Sequence, residues 1–171
     1  MPLYEVQHYI PLSLEERNKF AKEITRIHTR EFITPSLFVN VQFTELKEGS
    51  SFIAGEEEKT NRVIAFLRGG PRTREQFVDV TKQVKKAWDE IMNEGKAVWG
   101  ERQLSLVGVI DGLAGGLEHD FVAPEAGKDV AWLKNHKSDF QKLASEGNNL
   151  FVGILQEMQN REDLVAKLQQ D

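Results

Sequence analysis

Pro2 carries a secondary amine, and a small residue behind an initiator methionine normally permits removal of Met1, which would leave that amine free at the mature terminus. An ordinary α-amino group titrates near ~8, and burial or nearby cations lower that value, so a neutral base is within reach at physiological pH. The plainer alternative is a proline that merely begins a strand. The stretch RVIAFLRGGPRTREQF places Arg68, Arg72 and Arg74 around a Gly-Gly-Pro turn where a strand passes into a helix. Guanidinium groups beside a helix N-terminus suit bidentate binding of a carboxylate, although solvated surface arginines have the same sequence signature. His28 falls on an apolar helical stripe, where its ring needs a polar partner, as any core histidine does. Glu118 follows the flexible GLAGG segment, from which a carboxylate could position a water or polarise a substrate, or simply face solvent.

Other chemistries find less support. His8, His119 and His136 have no metal-ligand spacing with His28 or with one another, so no metal is expected. The glycine-rich GGP and GLAGG segments match no nucleotide fingerprint, so nucleotide binding is not expected. Lys and Arg number 22 against 27 Asp and Glu, a net charge of −5, with no basic block to track phosphates, which argues against nucleic acid. The absence of cysteine removes thiolate nucleophiles and disulfides from consideration and fits a reducing compartment. No apolar run reaches the roughly 20 residues that span a bilayer, and MPLYEVQHY lacks the form of a signal peptide, so a cytoplasmic location without membrane contact is expected.

The elements that must position these residues recur. Residues 3–10 alternate in strand fashion, Ser13 and Glu16 form a capping box, and Phe20, Ala21, Ile24, Ile27 and His28 mark one buried helical stripe. LFVNVQF (37–43) is a second strand. About 60 residues later the same order returns: a strand at 62–68, a Thr73 to Gln76 cap, a helix with Val80, Val84 and Trp88 inward, and a strand at 103–110. Ser13 then superposes on Thr73, Phe20 on Val80, Ile24 on Val84 and His28 on Trp88. The pattern predicts an α+β fold: a tandem βαβ repeat forming a four-stranded sheet with two helices on one face. Val63, Ala65, Val107 and Val109 are expected on the other face, to be covered largely by neighbouring subunits of a homo-oligomer. Beyond Pro124, residues 129–142 and 147–169 read as two helices. The expected organisation is a tandem βαβ domain over 1–125 with a C-terminal helical extension over 126–171.

Pro2 opening a strand, EITRIHTR with His28 late in the first helix, the arginines after the third strand and the Gly-rich approach to Glu118 together resemble the tautomerase superfamily, in its fused βαβ–βαβ branch typified by cis-3-chloroacrylic acid dehalogenase. The resemblance runs from Pro2 to about Pro124. It implies a cofactor-independent homotrimer acting on small carboxylates, with Pro2 as the acid/base group, His28, Arg68 and Arg72 binding the carboxylate, and Glu118 activating water. Two features depart from the family pattern. Arg68 and Arg72 stand one position further apart than the family's arginine pair, and Val107 occupies the place of a water-assisting tyrosine, which counts against hydrolytic dehalogenation while leaving proton transfer intact. The function expected is therefore proton transfer on 2-oxo or unsaturated carboxylates. A non-catalytic trimer that retains the scaffold is the alternative, and a dimeric ferredoxin-like barrel a third.

Overall fold

The computed structural model describes residues 2–170; Met1 lies outside the described residues, and with it the expectation that it is removed. Strand β1 (Leu3–His8) leads to helix α1 (Leu14–Phe32), a 3-10 turn (Ser36–Phe38) and β2 (Asn40–Glu45). A small β3–β4 hairpin (Phe52–Ile53, Glu56–Glu57) precedes β5 (Asn61–Leu67), α2 (Arg74–Met92) and β6 (Leu104–Asp111). A second hairpin, β7 (Leu117–Glu118) and β8 (Phe121–Val122), then leads to α3 (Asp129–Ser145), α4 (Asn149–Asn160) and α5 (Glu162–Leu168).

Both expected capping boxes form. Ser13 accepts from the backbone N–H of Glu16, whose carboxylate accepts in return from Ser13, and Thr73 and Gln76 do the same at α2. These contacts satisfy N–H groups that have no partner within the helix. The main sheet runs β2-β1-β5-β6, with β1–β2 and β5–β6 parallel and the central β1–β5 pair antiparallel. Two βαβ units thus meet head to tail at the middle of the sheet. Tyr4, Val6, Val63, Ala65 and Leu67 alternate inward against Phe20, Ile24, Val80, Val84 and Trp88 from the two helices.

That packing corrects one expectation. Val63 and Ala65 are fully buried under the helices, with Val107 and Val109 beside them, rather than on the opposite face. The period of two within each strand assigns Ile64, Phe66, Leu106 and Ile110 to the other face, where Leu106 and Ile110 are each 49% exposed. The apolar open face exists, but different residues build it.

The C-terminal segment forms a second core in which Trp132, Leu133 and Phe140 of α3 meet Phe151 and Ile154 of α4, Leu164 of α5 and Phe38 from the 3-10 turn. The single helix expected over 147–169 is broken at Arg161, whose backbone is extended. A buried guanidinium explains the break: Arg161 donates to the Thr34 carbonyl at 2.7 Å, just past the end of α1, and pairs with Glu157 and Asp163. Among the described residues, no helix is long and apolar enough to cross a membrane.

Candidate active site

The strand register brings the candidate residues to one end of the sheet. Leu3 lies opposite Asn40 of β2 on one side and Phe66 of β5 on the other, so Pro2 sits where β2 begins and β5 ends. The Pro2 carbonyl accepts from the Asn40 N–H at 3.0 Å. Arg68 follows directly on β5, and Asp111, opposite Leu67, closes β6 at the same end. The turn that leaves this edge needs its glycines. A Cβ on Gly69 would meet the Asp111 carboxylate at 2.7 Å, and Gly70 has a φ of +103°.

Pro2 is buried and continues the inward alternation of Tyr4, Val6 and His8. The Tyr4 hydroxyl is 2.8 Å from His28 Nδ1, and both side chains are fully buried. Burial pushes the Tyr4 phenol well above its ordinary range, so it keeps its proton. Burial, with the charges of Arg72 and Arg68, holds His28 well below the ordinary imidazole value and keeps it neutral at pH 7. A protonated phenol donating to Nδ1 assigns the imidazole proton to Nε2, and this nitrogen is buried without a protein partner.

Arg72 also lies against Phe32. Its guanidinium lies 4.0 Å from the Phe32 ring centroid, and the His28 ring lies 4.8 Å from that centroid. Burial first, and then Arg68, lower the Arg72 pKa to about 10, which leaves it cationic at neutral pH. Its Nη1 donates to the Arg68 carbonyl at 3.1 Å, whereas Nη2 is buried with no partner. Two buried donors, His28 Nε2 and Arg72 Nη2, are therefore unsatisfied around one aromatic ring, an arrangement that suits a small anion.

Arg68 is differently placed. Its Nη2 donates to the Asp129 carboxylate at 2.6 Å, Nη1 donates to the Pro124 carbonyl, and both members of the ion pair are almost completely buried. Arg68 also lines a cleft of about 390 Å³ formed by the Gly-Gly-Pro turn, Leu113 to Gly115 and Ala123 to Ala126. Glu118 stands on β7, where the left-handed residues His119 and Asp120 make a tight hairpin turn. Its Oε1 accepts from Asn40 Nδ2 at 3.2 Å, while Oε2 is buried and unpartnered. It lines a separate depression with Ser36, Asn40, His119 and Asn149. Asn40 thus touches the Pro2 backbone and the Glu118 side chain. Val107 lies in β6 opposite Val63 and packs against the main core. Among the described residues, no group of three potential ligands is arranged to hold a metal ion.

Tyr4, Asn40 and Asp129 enter the site without having been singled out from the sequence. Tyr4 had a usable signal, since alternation places it two residues beyond Pro2 on the same face. Asn40 and Asp129 had none, because their roles depend on contacts with residues distant in the chain.

This architecture, two antiparallel βαβ units with Pro2 at the sheet end, is that of the tautomerase fold. Residues 1–134 match the family model described as "Putative oxalocrotonate tautomerase enzyme", and the chain belongs to this family. Among solved structures it is similar to a member of the cis-3-chloroacrylic acid dehalogenase (cis-CaaD) family, with a TM-score of 0.67 and 24% identity over 84% of this chain and 99% of that one. It is also similar to native Ps01740, with 30% identity, a TM-score of 0.50 and coverage of 66% and 95%. A wild-type fused 4-OT solved as a symmetric trimer gives a TM-score of 0.56 at 17% identity, covering 73% of this chain and 98% of that one. No curated protein matches the chain.

Proposed function

We propose that this protein is a cofactor-independent tautomerase-family enzyme that uses the Pro2 amine to move a proton on small 2-oxo or unsaturated carboxylates. The observation that carries the proposal is the pair of unpartnered buried donors, His28 Nε2 and Arg72 Nη2, flanking Phe32 beside the Pro2 end of β1. The substrate carboxylate accepts from both. Neutral Pro2 nitrogen then takes a proton from the carbon next to the carbonyl, the electron pair moves onto the carbonyl oxygen as an enolate, and the prolinium returns the proton at the other end of the conjugated system. Arg72 stabilises the developing negative charge. Arg68 sets the local field and holds the turn, and Glu118, fixed by Asn40, orients a water if the substrate is hydrated instead. A haloacrylate would take that second route, with water adding and halide leaving, but Val107 supplies no phenol to assist it.

The unit that works is a tautomerase-like body over 1–125 carrying the helical extension 126–171. Three copies pair through the open sheet face of Ile64, Phe66, Leu106 and Ile110 in the cytoplasm. Intact-mass measurement is expected to show a mature chain beginning at Pro2. Replacing Pro2 by alanine is expected to reduce enol-to-keto conversion of a 2-oxo acid by a factor on the order of 10² to 10⁴, the usual contribution of a positioned acid/base group. A rate within threefold of the parent, in a variant that keeps its assembly, would instead support a binding protein without chemistry. The neutralisation of Arg68 by Asp129 is the feature that favours this second reading.

A further inference from the structure

We infer that Asp129, supplied by the first turn of α3, makes the site selective for monocarboxylates by serving as a resident second carboxylate on Arg68. The inference rests on the proposed carboxylate site and names which carboxylates it takes. Two guanidiniums stand at this end of the sheet, and a pair of free cations would suit a dianion. One is already committed: Arg68 Nη2 is 2.6 Å from Asp129 Oδ1, with the two side chains 5% and 2% exposed. Its remaining terminal nitrogen is held by the Pro124 carbonyl. Arg68 keeps only its inner Nε without a partner, so of these two guanidiniums Arg72 alone offers a terminal nitrogen, Nη2, that no protein group engages.

The Asp129 charge also acts on Arg72, whose cation it favours. Asp129 lines a cavity with Lys167 and with Phe32, the ring on which Arg72 lies. Its Oδ2 is buried without a partner, so the second oxygen of this carboxylate adds negative charge beside the Arg68–Arg72 pair that no protein donor offsets. Like charges in a water-poor site repel strongly, so a dianion is disfavoured where a monoanion is held. The hydrocarbon end of a monocarboxylate meets no such penalty.

The test compares two probes of similar skeleton, acrylate and maleate, binding to the full-length protein by calorimetry at pH 7.5. In the parent protein acrylate is expected to bind at least tenfold more tightly than maleate. Asp129→Asn keeps an oxygen that accepts from Arg68 but removes the charge, and it is expected to narrow that ratio at least tenfold, mainly by strengthening maleate. A change of less than threefold in a folded Asp129→Asn overturns the inference and leaves the carboxylate site standing. Maleate binding to the parent as tightly as acrylate overturns it without any variant. Failure of the parent to bind either acid overturns the site itself.

Discussion

Removing one member of the Arg68–Asp129 pair should loosen the attachment of the C-terminal extension to the sheet. In Asp129→Leu the guanidinium of Arg68, a residue 4% exposed, loses its carboxylate and keeps the Pro124 carbonyl as its hydrogen-bond acceptor. Breaking a buried pair from one side typically costs about 3–5 kcal/mol, most of it from the stranded charge. In a chain of this size each kcal/mol moves the melting temperature by about 2–4 °C, so a drop of about 6–20 °C is expected. The double replacement Arg68→Met with Asp129→Leu strands nothing and should recover to within about 1–2 kcal/mol of the parent, giving a large favourable coupling in a double-mutant cycle. Urea unfolding at fixed protein concentration measures all four proteins. Trp132 lies in the second core and Trp88 in the first, so variants that lack the exposed Trp99 and retain only one of these two separate the response of the extension from that of the sheet. A cost below about 1 kcal/mol for Asp129→Leu, or a double variant as unstable as the two single losses added together, would refute the reasoning.

His28 supplies a pH prediction. Its folded-state pKa lies below the unfolded value of about 6.5, so its stabilising effect is full above that pH and is lost as pH falls below it, when the unfolded chain takes up a proton that the fold refuses. Urea midpoints should therefore fall between pH 7.5 and 5.0, and His28→Gln should flatten that fall; an equal fall in the variant would count against a buried neutral ring. The open face gives a second test. Leu106→Glu combined with Ile110→Glu puts charge on half-exposed apolar strand positions and is expected to convert a three-chain particle to single chains by light scattering; an unchanged mass would remove this face from the proposed assembly.

Much of the scaffold was legible because its signals are local and periodic. Ser13 with Glu16 and Thr73 with Gln76 announce helix starts, and the stripes through Ile24 and Val84 announce which side is buried. The face of a strand was harder to read. In β5 the residues of both faces are apolar, so alternation alone could not say whether Val63 or Ile64 meets the helices, and only packing under Phe20 and Trp88 decides it. The break at Arg161 was hidden for a related reason: the sequence across it is helix-compatible, and the competing force is a contact with Thr34 from the far side of the chain. In the candidate site, the sequence pointed to Arg68 and Arg72 as a pair of similar cations. The structure separates them, one neutralised by a carboxylate that lies 61 positions along the chain and the other left with an idle donor.

The antiparallel seam between β1 and β5 has a consequence for stoichiometry. Because the two βαβ units run in opposite directions, the place in the second unit that corresponds to the Pro2 end of β1 lies at the far edge of the sheet, at Asn61 and Arg62. There the chain is continuous, so no terminal amine can exist, and the buried Asn61 amide is used as a stitch. It accepts from the Tyr9 N–H at 2.8 Å and donates to the Glu101 and Gln103 carbonyls at 2.7 and 2.9 Å. Duplication of the motif has therefore doubled the framework without doubling the chemistry, and a reagent that consumes the proposed proline amine should titrate to one equivalent per chain.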